Sequence, residues 1–404
     1  MIKKFILILL LITTGTVFLL STKNKMPENE LVFWTLQLGT FDKYINGVIS
    51  EFEKENPDIK IKWVDVPYSE GEKRTLAALL SDNPPDLINL TPDFSVLAAQ
   101  RGALSEIPSE IMKNYPNSLY ESLSYNDKFF AVPFYLTSAV TYANKKLMQE
   151  AHIKSVPRTF SEMYSQSDKI KNLKNVYTDM PALTENDTFL KILLKNQINI
   201  LSENDKTKLT EAYKNYRKYY SDGYIPREAM TQGHREALEK YMAGQIVFLQ
   251  AGANFLNIIK ENAPEVYKNT EISYQLAGKN GKYDFSVMNL IIPLKAKHSK
   301  EALKFAEFLT NEKNQLEFAK LTSVLPANKY ALNDKYFTLK NTKEEKARFI
   351  SSSQINNLGQ IFSETDNKKN IITLLNTTTG RILSEKTSVE DIVSDYYKDL
   401  NKIK

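Results

Sequence analysis

Residues 126–147, NDKFFAVPFYLTSAVTYANKKL, carry two runs of aromatic and β-branched residues almost end to end. Residues 129–135 read as one strand and 138–144 as a second, with no helical spacing between them. Pro133 has no backbone N–H, so within a strand it calls for an edge or an irregular position. Elsewhere strand and helix patterns alternate, as βαβ units do. Two strands back to back in such a chain mark the place where it leaves one α/β lobe and enters another, with a ligand cleft beside the crossing.

The chain ahead of this stretch is regular. Residues 30–38 form a strand carrying Trp34 near its end. Phe41, Tyr44, Ile45, Val48, Ile49 and Phe52 then recur on one face of a helix. Asn56-Pro57 stops it, because proline disfavours helical geometry in the residue before it. Ile59, Ile61 and Trp63 alternate with Lys60 and Lys62 in a second strand, Trp63 reading as core. A short helix with Leu76, Leu79 and Leu80 ends before Pro84-Pro85, and residues 86–90 are a third strand. This β-α-β-α-β order predicts a right-handed parallel sheet. Ligands of such sheets sit beyond the carboxyl ends of the strands, which makes Trp34, Thr35, Asp93 and Phe94 binding candidates. Trp34 either stacks on a ligand or packs between lobes; Asp93 either accepts hydroxyl hydrogens or caps the helix that follows.

A chain of 404 residues exceeds the roughly 250–300 at which single cores stop growing, so two domains are expected. After Lys3 and Lys4, residues 5–20 are almost wholly apolar and Lys23 follows. Residues 1–25 therefore read as a signal peptide, or as an uncleaved membrane anchor of about 17 residues. Either way the remainder is exported, to the periplasm or the outer face of the cytoplasmic membrane. Four of the five net positive charges come from lysines in that segment, and the rest of the chain shows no basic face of the kind nucleic acid requires.

The absence of cysteine removes disulfides, thiolate metal sites, a cysteine nucleophile and a lipid-modified cysteine. His152, His234 and His298 lie far apart, without the H-E-x-x-H spacing of a zinc hydrolase. There is no G-x-S-x-G, no phosphate-cradling glycine loop, and only 13 glycines in all. No enzyme motif and no cofactor site are legible.

Five fragments, in order, resemble one family. They are FEKENPDIKIKW, DNPPDLINLTPDFSVLAAQRGALSEI, FFAVPFYLTSAVTYANKKLM, YMAGQIVFLQAGANF and SKEALKFAEFLTNEKNQLEFAKLTSVLPANKYAL. Through nearly all of the exported region the chain resembles the bacterial extracellular solute-binding proteins of family 1, the sugar-type receptors of ABC importers. It departs from them at Ala143-Asn144-Lys145, where a tyrosine usually precedes Asn-Lys, and at Asn254, near which a stacking tryptophan is common. The resemblance implies an α/β fold of the periplasmic binding protein type II. Its two Rossmann-like lobes, joined by a multi-crossing hinge, would be 29–136 with 286–330, and a helix-rich 137–285 with 331–404. It implies a monomer that binds a sugar without chemistry and hands it to a membrane permease.

A sugar offers apolar C–H faces and many hydroxyls, so flat aromatic rings and planar polar groups are wanted. By the resemblance, Phe134, Tyr135 and Thr137 after the hinge proline contribute contacts. Phe255 does so beside Asn254, which either bonds a hydroxyl or caps a helix. Other solutes stay open on the same fold. A ferric ion would use Tyr219-Tyr220, which also continue a helix holding Tyr213 and Tyr216. Glycerol phosphate would use Arg74 or Arg101, and a polyamine would need acids such as Asp93. A scaffold without ligand closure is a further alternative.

Overall fold

The computed structural model describes residues 30–184, 187–359 and 367–403, so the expected signal peptide or anchor lies outside the described residues. Among the described residues no helix is long and apolar enough to cross a membrane. The chain divides into two compact units, Met1–Ile88 with Ile292–Phe305, and Asn89–Ile291 with Ala306–Lys404.

The first unit follows the expected order: β1 (Glu30–Leu36), α1 (Asp42–Glu55), β2 (Lys60–Val66), α2 (Gly71–Leu80) and the start of β3 (Leu87–Leu90). β1 lies between the other two strands and runs parallel to both, with Phe33 opposite Trp63 on one side and Leu87 on the other. Alternation along β1 sends Leu31 and Phe33 into the core and leaves Val32 and Trp34 half-buried on the opposite face. Phe33 and Phe52 each meet Phe305 edge-on, at 5.3 and 5.0 Å, which adds about 0.5–1.5 kcal/mol per pair to the burial. α1 buries Ile45, Val48, Ile49 and Phe52 as its spacing predicts, and it stops at Asn56, whose Nδ2 donates to Phe52 O at 2.8 Å.

α2 departs from expectation. Leu76 and Leu80 are 49% and 77% exposed, and the helix buries Gly71 and Thr75 instead. The cause is close approach: a Cβ on Gly71 would stand 2.6 Å from Leu36 Cδ2. The helix docks through its smallest residues, and the leucines face away.

The second unit contains α3 (Pro92–Gln100), β4 (Val132–Asn144), α4 (Thr188–Lys195), α5 (Lys206–Ser221), α6 (His234–Met242), β5 (Phe248–Gly252), α7 (Phe255–Asn262), β6 (Thr270–Tyr274) and β7 (Phe285–Ile291). The helix α8 (Ser299–Leu309) crosses the boundary, and α9 (Glu312–Thr322), α10 (Lys343–Ser353), α11 (Lys368–Ser384) and α12 (Val389–Ile403) complete the unit.

Where two strands were expected there is one, β4, 13 residues long. Its first part pairs antiparallel with β7, from Val132 opposite Leu290 to Ser138 opposite Phe285. Its second part lies between β5 and β6, with Ala139 opposite Gly252 and Asn144 opposite Thr270. One strand thus serves two sheets and passes from one to the other at Ser138-Ala139. Pro133 is accommodated by a register shift before Tyr135, which absorbs the missing donor.

Much of the aromatic surplus is core. Tyr142, Tyr213 and Tyr241 are fully buried, and their hydroxyls reach Gly252 O, Thr379 Oγ1 and Thr270 Oγ1 at 2.7, 3.1 and 2.9 Å. α12 buries Val389, Ile392, Val393, Tyr396 and Leu400, the face read from its spacing.

Candidate functional site: a cavity in the second unit

The strand-exit candidates of the first unit separate. Thr35 is fully buried; its Oγ1 donates to Asp65 Oδ1 at 2.7 Å and accepts from Trp63 Nε1 at 2.8 Å. Its hydroxyl is committed to holding β1 and β2 together. Trp34 faces α2 and lines a cavity of about 1180 Å³ with Val32, Val64, Ala77 and Ala78.

In the second unit Asp93 accepts from Lys368 Nζ at 2.6 Å; it does not cap α3, whose N-cap position is Thr91. Phe94 beside it is half-buried. Phe134 is fully buried and stacks on Phe318 at 5.5 Å, with Tyr135 edge-on to the same ring at 5.6 Å. That corrects the reading of Phe134 as a contact: its ring belongs to the core. Tyr219 stacks on Tyr164 at 4.0 Å and Tyr220 donates to Arg227 O at 3.2 Å, so the tyrosine pair packs. Among the described residues no group of His, Cys, Asp or Glu is placed to hold a metal ion.

Thr137, Asn254 and Phe255 do come together, around a cavity of about 580 Å³. Ligand pockets commonly measure about 300–1,000 Å³. β5 ends at Gly252 and α7 starts at Phe255, so this turn opens at the carboxyl end of a strand. The absence of a Cβ on Gly252 is what lets Asn254 fold back, since that atom would lie 2.4 Å from Asn254 Oδ1. The Asn254 side chain makes no capping bond, and its amide is exposed. Phe255 meets His234 edge-on at 5.1 Å. Across the cavity Phe160 lies beneath Lys195 Nζ at 4.8 Å.

The polar groups of the cavity are mostly fixed by partners. Lys195, almost fully buried, bonds Asp284 Oδ2 at 2.7 Å and Leu276 O at 3.2 Å. Gln250 Nε2 donates to Thr141 Oγ1 at 2.8 Å, and its Oε1 accepts from Leu276 N at 3.0 Å. Lys191 pairs with Asp187 at 3.0 Å; burial works against its charge, but Asp187 and Asp284 prevail and hold its pKa above the usual lysine value. Asp179 lines the same cavity and is 5% exposed. Of these groups the sequence marked none. The only signal was that Asp179 closes a β-rich run, NVYTD, just before Met180-Pro181.

The arrangement offers aromatic faces, amides and fixed charges around an open volume, which is the equipment of a binding site. The sequence pattern of the bacterial extracellular solute-binding proteins matches residues 38–316, and the chain belongs to that family. It is 25% identical over 293 residues to the multiple sugar-binding protein of Streptococcus mutans serotype c, spanning 67% of this chain and 68% of that one. A solved structure described as an oligosaccharide periplasmic-binding protein, from Synechococcus sp. MITs9220, superposes with a TM-score of 0.81 at 26% identity, covering 92% of this chain and 98% of that one. The sugar-binding protein MalE of Xanthomonas citri shares the fold at 19% identity, with a TM-score of 0.78 over 93% of this chain and 97% of its own.

Proposed function

We propose that this protein is an exported receptor that binds a sugar or oligosaccharide, leaves it chemically unchanged, and delivers it to the permease of an ABC importer. The observation that carries the reading is the cavity around Thr137, Asn254 and Phe255, with an aromatic wall and planar amides at a strand exit. Similarity to proteins described as sugar-binding supports the ligand class. Trp34 offers an aromatic face in the first unit's own cavity. In this reading the lobes expected from the sequence, 29–136 with 286–330 and 137–285 with 331–404, close on the ligand, although the compact units divide after Ile88 and Phe305 instead. The receptor acts as a monomer, outside the cytoplasm.

The test is a thermal-shift screen of the full chain in a detergent without a sugar headgroup. The panel is maltotriose, raffinose, N,N′-diacetylchitobiose, spermidine, glycerol 3-phosphate and Fe³⁺. A ligand at about 100 times its Kd stabilises by about 2.7 kcal/mol, which moves Tm by a few degrees. A shift with a saccharide is the expected result. A shift with spermidine, glycerol phosphate or iron alone would replace the sugar with that solute.

A further inference from the structure

Asp179 stands at the end of a short parallel pairing. Tyr177 N donates to Gln245 O at 2.8 Å, Val247 N to Tyr177 O at 3.0 Å, and Phe248 N to Thr178 O at 2.9 Å. Residues 177–179 therefore run beside the entry to β5 in the same direction. Asp179 leaves at the carboxyl end of this pairing, the end toward which β5 runs on to Gly252 and Asn254.

Its carboxylate is short of donors. Tyr164 Oη lies 3.1 Å from both Oδ1 and Oδ2, and a phenol has one proton to give, whereas a carboxylate has about four acceptor positions. No ion pair reaches Asp179 among the described residues. The titratable and charged groups around it are already engaged or are neutral phenols. Tyr164, on the helix Phe160–Ser165, is stacked on Tyr219 and edge-on to Tyr216 of α5. Lys191 is paired with Asp187, Lys195 with Asp284, and His234 lies against Phe255.

We propose that Asp179 is the specificity-determining acceptor of this cavity, taking hydrogen bonds from two adjacent ligand hydroxyls, so that binding releases a proton. This deepens the sugar-receptor reading and rests on it. Burial pushes the free carboxyl up to about 8, and the Tyr164 hydroxyl offsets only part of that. Burial and the neighbouring Asp179 raise Tyr164 well above the usual tyrosine value, so the phenol keeps its proton and remains a donor. A vicinal diol supplies two of the donors the carboxylate lacks, favours its ionised form, and drives the proton into solvent. No bond is made or broken beyond that proton transfer. The ligand class is a neutral saccharide with a free vicinal diol.

The experiment is titration calorimetry on the full chain in the same detergent, with maltotriose, raffinose and N,N′-diacetylchitobiose as probes. It runs from about pH 6 to about pH 9, in two buffers of different ionisation heat. Affinity should rise with pH by up to about tenfold per unit, level off above about 8, and be accompanied by release of up to about one proton per ligand. Asp179→Asn should bind more weakly and with a flat profile. Tyr164→Phe keeps the ring stack but removes the donor, and should move the levelling-off to higher pH. A probe bound with a flat or reversed profile, or bound by Asp179→Asn as by the unaltered protein, overturns the role of Asp179 while leaving the receptor reading in place. Binding of no saccharide at any pH overturns that reading, and this inference with it.

Discussion

At the exit of β1 one carboxylate, Asp65, accepts from Thr35 Oγ1 at 2.7 Å and from the amides of Leu38 and Gly39 at 2.8 Å. Hydrogen bonds to a charged group contribute about 1.5–3 kcal/mol each, less where water competes. Asp65 is exposed, so Asp65→Ala should cost about 2–3 kcal/mol in all, read as a lowered midpoint in urea with an unchanged slope. Thr35 looked like a binding residue because strand exits carry chemistry. What the sequence could not reveal is that residue 65, one strand away, lies opposite it in register and already holds its hydroxyl. The same limit hid Asp179 and Lys195: their neighbours are set by tertiary contact. Thr137, Asn254 and Phe255 were named as candidates through the family resemblance, and the structure places Thr137 within β4 and the other two just after β5.

Among the elements, α1 and α12 were legible from spacing, since each buries one clear stripe. β2 alternates as expected but buries only Val66, and Trp63, read as core, is half-buried. β4 was legible in composition and misread in number. Its change of partners at Ser138-Ala139 looks, in one dimension, like a break between two strands. That junction is held from outside. Gln354, fully buried, donates to Ser138 Oγ at 2.8 Å and Ala139 O at 2.9 Å, and accepts from Gln275 N at 2.8 Å. Ser351 Oγ donates to Ser138 O at 2.9 Å. Gln354→Leu keeps the volume but strands a buried amide. It should cost about 2–3 kcal/mol, measured by denaturation, and should speed hydrogen exchange at Gln275.

For the whole molecule the α/β class and the family were recoverable from fragment order, because alternating strands and helices leave a periodic record over many residues. Stability against pH is a property at this scale that Asp179 affects directly. Folded, its carboxyl keeps the proton up to about 8; unfolded, it loses it near 4. Between those values the folded chain holds more protons, so this group makes stability fall as pH rises, by at most about 1.4 kcal/mol per unit, with no further loss above about 8. Asp179→Asn should flatten that part of a Tm-against-pH curve in the absence of ligand.

The double membership of β4 also fixes an order in time. Its partners start at Phe248, Thr270 and Phe285, and the short pairing at Leu325–Pro326 comes later still. When β4 leaves the ribosome nothing exists for it to pair with, and more than a hundred residues must follow before either sheet can close. Long-range closure of this kind is slow and late. The chain therefore spends most of its synthesis without its central strand in place, and that strand gains its last long partner only when Phe285–Ile291 has been made.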